Sequence, residues 1–429
     1  MIPAAKETLM ATKPKATQKP KPQTSDEWMM LEFEIQRLFD GAPVDEEQLF
    51  AGRSKEVNKM LQTVMERAKH VVLFGERGVG KTSLSNIFWK RYGTTLQSFI
   101  VARVQCGPHD DFSSVWIRGL EELKAMGISR GRPDYVNFDT NFTAITPSQV
   151  RRELQKINPN ALPIIIFDEY DKVTDGDTKV LMANIVKELY DFAVHTTVII
   201  VGVAENISEL IADHASIGRA LVDVPLHRMS ESELREIIHQ RIRQTPMTFS
   251  NDAIWTVVIL SRGLPFFTQT LSKLAALNAI KTRRLNINNG DVAEAMKQFI
   301  EDTAVSFRDA YGEATRTNQK NNLKETLLAC ALAKSDDEGF FKAADLIEPL
   351  SAIMKDRRRI AHFEKHLRRF SGDDGGKILS RRGGDRQQMF RFADPMMQPY
   401  VIINGIQSGM IDEDAKNLLF QKEQREFAI

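Results

Sequence analysis

From residue 69 to residue 203, short apolar runs rich in β-branched residues alternate with stretches of helical period. The runs are 70–74, 99–105, 163–167 and 197–203, and helices are expected to open at Lys81, Ser113 and Thr178. Runs that are apolar at nearly every position describe strands buried on both faces, so the pattern predicts an α/β fold with a parallel sheet covered by helices on either side. From about Met229 the period changes. Stretches 230–244, 251–261 and 265–280 read as three helices with no strand between them, and the first opens on Ser-Glu-Ser-Glu, a cap followed by acidic residues suited to a helix N-terminus. A last unit, from about 321 to 401, reads as helices 324–334, 340–354 and 357–370 followed by a hairpin of 378–380 and 389–392 around Gly383 and Gly384. Its third helix sets Ile360, Phe363, Leu367 and Phe370 on one face, which should pack inward. Ahead of the sheet, 28–39 reads as a helix with an apolar stripe of Met30, Phe33, Ile35 and Leu38, ended by Gly41-Ala-Pro. Residues 13–24 are Lys/Pro-rich without a large apolar side chain, the composition of an extended, solvated tail.

Length and composition narrow this picture little. A chain of 429 residues has room for about three domains. The 58 Lys and Arg nearly balance the 57 Asp and Glu, so any attraction to polyanions must be local. Cys106 and Cys330 stand far apart with no Cys/His cluster, which suggests neither a disulfide framework nor a zinc site and suits a reducing compartment. Residues 1–25 lack the apolar stretch of a secretory leader, and no run of about 18 apolar residues occurs, so a soluble, cytoplasmic protein without membrane contact is expected.

The chemistry sits at the ends of the first and third apolar runs. Directly after Val71-Val72-Leu73-Phe74 comes Gly75-Glu76-Arg77-Gly78-Val79-Gly80-Lys81-Thr82, followed by Ser83. Glycines at 75, 78 and 80 let the backbone turn its N–H groups around a polyphosphate, and the helix opening at Lys81 adds its positive end to the same anion. Lys81 should reach the β- and γ-phosphates and Thr82 should ligate Mg²⁺, so ATP with Mg²⁺ is the expected cofactor. The second element is Ile164-Ile165-Ile166-Phe167-Asp168-Glu169. A central strand of this kind presents Asp168 to the metal shell, while Glu169 is placed to polarise the attacking water. Asp171 and Asp175 extend the acidic stretch without a spacing that assigns them a role, and are read as surface residues.

Taken together, the loop, the Asp-Glu strand tip and a helical segment after a parallel sheet resemble an AAA+ ATPase, specifically the origin-recognition clade. The likeness covers roughly residues 50–400. Phe50-Ala-Gly52-Arg53-Ser-Lys-Glu56 is similar to the Gly-Arg-x-x-Glu box with which that clade begins its base domain near the adenine. The segment 214–221 followed by Val224-Pro225-Leu226 is similar to the one carrying the arginine finger, which makes Arg219 the group that completes a neighbouring subunit's site and implies a homo-oligomer or related AAA+ subunits. The sensor residue after the fourth strand falls at Glu205 or Asn206, with Asn206 the better hydrogen-bond donor. The lid arginine expected after Gly263 is replaced by Leu264-Pro265-Phe266. Gly-Leu-Pro resembles the motif of STAND signalling ATPases, in which the proline region contacts the nucleotide, so Pro265 joins the binding set and slow hydrolysis is implied. The expected organisation is a tail at 1–27, an AAA+ base at 28–228, a lid at 229–318, a winged helix at 319–405 and a C-terminal tail at 406–429.

One local charge signal remains. Between Lys355 and Arg391 there are twelve Lys/Arg against five Asp/Glu. Arg357, Arg358, Lys365 and Arg368 lie opposite the apolar face of the third helix, and Arg381, Arg382 and Arg386 lie in the hairpin, a layout suited to double-stranded DNA. The rival expectation is a winged helix used for protein contacts, as in STAND ATPases. The two readings are a DNA-associated ATPase of replication initiation, transposition or mobile elements, and a nucleotide-gated signalling module in bacterial defence.

Overall fold

Five parallel strands, β1 (His70–Gly75), β2 (Phe99–Gln105), β3 (Leu162–Asp168), β4 (Thr197–Val203) and β5 (Leu221–Pro225), form the central sheet in the order β2-β3-β4-β1-β5. The computed structural model describes residues 20–41, 46, 49–90, 99–212, 217–302, 305–317, 321–384 and 387–411. Arg386, residues 214–216 of the segment before Arg219, and most of both expected tails lie outside them.

The sheet is buried on both sides because its strands are apolar on both sides. One face packs against α4 (Phe112–Ser129), α5 (Pro147–Leu154) and α6 (Gly176–Asp191), in a cluster that includes Trp116, Phe167, Met182 and Leu189. The other carries α2 (Ser54–Met65) and α3 (Lys81–Ile87), with Val57, Leu84, Ile164 and Ile166 in contact. β5 carries no continuous apolar signal: it lies at the sheet's edge, five residues long, with only Leu221 and Val224 buried. α5 is a helix of eight residues, opened by a capping box of Thr146 and Gln149, that the periodicity did not mark.

α1 (Ser25–Leu38) starts at a capping box between Thr24 and Glu27. Its buried residues are Leu31, Ile35 and Leu38, not the full stripe that was expected; Met30 and Phe33 are 67% and 60% exposed. At 100° per residue they fall on the opposite side of the helix from Ile35 and Leu38. The helical layer after the sheet comprises α7 (Glu231–Ile242), α8 (Asn251–Ser261) and α9 (Pro265–Lys281), as expected. It also contains two helices the pattern did not mark, α10 (Asn289–Asp302) and α11 (Val305–Thr315), and a two-residue parallel bridge of β6 (Thr248–Phe249) and β7 (Asn286–Ile287).

The C-terminal unit contains α12 (Leu323–Leu332), β8 (Phe341–Lys342), α13 (Ile347–Met354), α14 (Glu364–Phe370), β9 (Leu379–Arg382), β10 (Met389–Phe392) and α15 (Met397–Gln407). Three corrections arise here. The stretch read as helix 340–354 opens as β8, which pairs with β10 and makes the hairpin a three-stranded antiparallel sheet. The stretch read as helix 357–370 is a 3-10 turn at Ile360–His362 and then α14, parted by the non-helical backbone of Phe363. Phe363, Leu367 and Phe370 pack inward, but Ile360 is 38% exposed. Finally, α15 runs to Gln407 with Tyr400, Val401, Ile402 and Ile403 buried, so ordered helix occupies the start of the expected tail. Buried residues of α1, the helices after the sheet and the C-terminal unit form one continuous apolar cluster.

Candidate nucleotide site

The loop between β1 and α3 is shaped by its glycines. Gly75 has φ +151, and a Cβ there would sit 2.2 Å from the carbonyl oxygen of Leu226. Gly80 caps α3 in the left-handed region at φ +99, and a Cβ on it would touch Pro265. A side chain at 75 would collide with the Leu226 backbone, and at 80 the left-handed backbone itself favours glycine, since a Cβ there would only touch Pro265.

An open cavity of about 240 Å³ lies over this loop. Arg53, Arg77, Gly78, Val79, Gly80, Lys81, Thr82, Ser83, Asp168, Glu169 and Pro265 all line it, so tertiary structure brings together residues from four separate stretches of the sequence. Gly52, Gly75 and Glu76 border the loop without lining the cavity. The ammonium of Lys81 is buried and donates to the carbonyls of Gly75 (2.9 Å) and Glu76 (2.8 Å). Burial pulls its pKa down from 10.5 to about 8, partly offset by Asp171, Asp168, Glu76 and Glu169. Hydrogen-bonded among the described residues to neutral carbonyls alone, it is a cation whose natural partner is an anion entering the cradle.

Thr82 Oγ1 donates to Asp168 Oδ2 at 3.1 Å, and Asp168 is buried. One carboxylate and one hydroxyl side by side fit Mg²⁺, which takes most of its ligands from phosphates and water; no cluster of three or more His, Cys, Asp or Glu suited to a metal occurs among the described residues. Glu169 follows in the left-handed region (φ +53), with its N–H on Asp168 Oδ1 and its carboxylate paired to Lys172.

The Gly-Arg box is held by α7. The N–H of Gly52 donates to Glu236 (3.2 Å) and that of Arg53 to Glu233 (3.1 Å), so two glutamates of α7 grip the entry to α2. The Arg53 guanidinium, 6% exposed, donates to the carbonyls of Val79 and His227 and pairs with Glu56 at 3.8 Å. Burial lowers its pKa, against the pull of Glu233 and Glu56.

Other expected residues lie elsewhere. Asn206 donates to Glu209 (2.8 Å), and Glu205 pairs with Arg391 of β10 at 2.5 Å; the tip of β4 presents Gly202 and Val203 to the cavity instead. Arg219 is exposed beside the start of β1 and β5, where Lys69 donates to its carbonyl. That is the end of the sheet opposite the loop. Asp171 is not merely a surface residue: it accepts from the N–H of Val203 (2.8 Å) and lines the cavity, while Asp175 caps α6.

Among the basic residues of the C-terminal unit, Arg382 pairs with Glu338 (2.8 Å) and stacks on Phe340, Arg368 pairs with Glu364 (2.7 Å), and Arg358 lies 3.5 Å from Asp356. Arg357, Lys365 and Arg381 are exposed.

Several residues at the site carried no sequence signal. Arg103 on β2 donates to Asp168 and to Ser85 (3.3 Å), placing a guanidinium on the same oxygen that Thr82 contacts. Arg228 makes a buried ion pair with Glu76 of the loop (2.5 Å) and donates to Gln398 of α15 (2.6 Å) and to the carbonyl of Arg262 (3.4 Å). Arg77 of the loop lies 3.6 Å from Asp394, also in the C-terminal unit. Each partnership joins positions tens to hundreds of residues apart, which no local pattern records.

A glycine-shaped loop with its lysine, an Asp-Glu strand tip, the β2-β3-β4-β1-β5 order and a helical layer over the loop together define a P-loop NTPase of AAA+ type. The profile of the family described as novel STAND NTPase 1 matches residues 42–344, more than half of the chain, and the chain belongs to that family of NTPases. Comparison with curated proteins finds no match. Among solved structures, the Walker-type ATPase PABY2304 of Pyrococcus abyssi shares the fold at 19% identity and a TM-score of 0.52, over 85% of this chain and 99% of that one. Cdc6p from Pyrobaculum aerophilum (13% identity, TM-score 0.46) matches over 87% of this chain and 98% of its own. The Aeropyrum pernix ORC1 protein, solved in complex with DNA, matches at 15% identity and TM-score 0.46 over 86% of this chain and 96% of its own. Among the described residues, no helix is long and apolar enough to cross a membrane.

Proposed function

We propose that the chain is an ATP-driven switch in which the state of the phosphate loop sets the position of the C-terminal unit. The observation that carries this is the Glu76–Arg228–Gln398 connection: the residue whose carbonyl holds Lys81 also holds, through its carboxylate, the arginine that anchors α15. A triphosphate drawing the Lys81 ammonium away from the Gly75 and Glu76 carbonyls alters the same peptide that carries the Arg228 contact. In this reading the loop amides and Lys81 bind the phosphates, Arg53 and Pro265 border the nucleotide, Glu169 takes the proton of the attacking water, and Thr82 with Asp168 hold Mg²⁺. Bound there, Mg²⁺ supplies charge neutralisation for the phosphates. Glu169 is paired with Lys172 and must leave it to act as base, which fits slow turnover. Arg219 lies too far from its own loop to serve it, so its place in the mechanism is at the site of a second copy or a related subunit.

The test is hydrogen exchange of the C-terminal unit with ADP and with a non-hydrolysable ATP analogue. Protection across 397–407 should differ between the two states and lose that difference in Lys81→Ala. Equal protection in both states of the wild type rejects the switch.

A second reading concerns what the switched unit touches. Arg357, Lys365 and Arg381 are exposed on a segment rich in basic residues, which favours double-stranded DNA as client of a winged helix; Arg382 serves intramolecular pairing instead. Duplex affinity should then fall steeply with salt, and reversing Arg357, Lys365 and Arg381 to glutamate should flatten the slope. Binding indifferent to those changes would leave protein partners, as in signalling ATPases.

A further inference from the structure

Arg241 on α7 is 1% exposed, yet no carboxylate pairs with it among the described residues. Its Nε donates to the carbonyl of Leu38 (2.9 Å) and Nη1 to that of Ile237 (3.4 Å), leaving Nη2 without a partner among the described residues. Burial alone pulls its pKa down to about 10. Gln269 on α9 is 8% exposed, its side-chain amide has no hydrogen bond among the described residues, and its Oε1 is shielded and unsatisfied. Both residues line the cavity over the phosphate loop. Arg241 stands one helical turn after Ile237 and Gln269 three residues after Phe266, and these, with Leu49, Phe50 and Met229, give that part of the cavity an apolar lining. Polar groups buried and unpaired in apolar surroundings are costly, and two of them converging on one cavity point to a ligand that satisfies both.

We propose that Gln269 and Arg241 read the base of the nucleotide, Gln269 accepting a hydrogen bond from the 6-amino group of adenine and Arg241 donating to a ring nitrogen beside it. This rests on the reading of the cavity as a nucleotide site. Rotation about the last bond of the side chain turns the Gln269 oxygen toward the ligand. Adenine fits better than guanine because it offers one amino group and otherwise acceptors along its edge. Guanine adds N1–H and a 2-amino group, and the side chains there supply a single neutral acceptor, so donors would be left unpaired.

The test is competition for the site against a fluorescent ATP analogue by ATP, ITP, GTP and inorganic tripolyphosphate. ITP is ATP with the 6-amino group replaced by oxygen. Wild type should bind ATP roughly tenfold more tightly than ITP, the value of about one hydrogen bond. In Gln269→Leu the ratio should approach one while tripolyphosphate binds as before; in Arg241→Met, ATP should weaken and tripolyphosphate should not. If Arg241→Met does not fold, Gln269→Leu decides alone. Wild type that treats ATP and ITP alike, a ratio that survives Gln269→Leu, or tripolyphosphate weakened as much as ATP overturns the assignment. These outcomes, with binding still dependent on Lys81, sink only base reading. Failure of ATP and tripolyphosphate alike to compete, with Lys81→Ala without effect, sinks the nucleotide site itself.

Discussion

Replacing Arg228 by methionine should be among the most damaging single changes in this chain, and the geometry says by how much. The Arg228 and Glu76 side chains are 9% and 6% exposed, so neither charge is shared with bulk water. Arg228→Met leaves the Glu76 carboxylate buried without its cation, a situation that costs about 3–5 kcal/mol. Two further contacts go with it, to Gln398 Oε1 and to the Arg262 carbonyl, and Gly339, where a Cβ would sit 2.5 Å from the Arg228 guanidinium, loses the group it was shaped around. Removing both charges in Glu76→Leu/Arg228→Met takes away the stranded carboxylate, and the remaining loss should fall to about 1–2 kcal/mol for the unpaired acceptors. Urea denaturation of the single and double variants, with hydrogen exchange across α15 to locate the loosening, gives both numbers. A double variant as unstable as Arg228→Met, or a single variant costing less than about 1 kcal/mol, would refute the claim that this ion pair clamps the loop to the C-terminal unit.

The depressed pKa of Lys81 gives ATP binding a pH dependence. Because burial lowers it to about 8 in the free protein and a bound triphosphate must raise it, affinity should be level below about pH 8 and fall by up to about tenfold per unit above it. Calorimetric titrations from pH 7 to 10 check this, and a profile flat to pH 10 contradicts it. For the free chain the sign is opposite: the folded pKa lies below the unfolded 10.5, so the cost of burying the ammonium is present below about 8 and is relieved as pH rises towards 10.5. Arg103 shares the Asp168 oxygen contacted by Thr82, so Arg103→Gln should lower the Mg²⁺ concentration needed for half-maximal nucleotide retention by several-fold. A variant requiring more Mg²⁺ would show that Arg103 orders Asp168 rather than competing for it.

The legible part of the chain was the part whose information is local. Val71–Phe74 and Ile164–Phe167 are apolar at every position because their strands are covered on both sides, so strand, loop and Asp-Glu tip could be read in order along the sequence. Glycine spacing from 75 to 80 reports a backbone path, which is also a local property. β5 escaped notice because an edge strand needs no continuous apolar run, and Met30 and Phe33 misled because apolar character alone does not say which side of α1 meets α9.

By itself, then, the sequence determined that a phosphate-binding loop follows a buried strand, that Asp168 and Glu169 close a second one, and that helices succeed the sheet. Tertiary structure decided who stands across from whom. It turned Glu205 and Asn206 away from the cavity, put Arg103 on Asp168, buried Arg241 without a counter-charge among the described residues, and tied Glu76 to Arg228 and Gln398. The physical reason is range: backbone conformation and periodic burial are written within a turn or a strand, whereas a buried charge is balanced by whichever partner the packing brings near, 152 residues away in the case of Glu76 and Arg228.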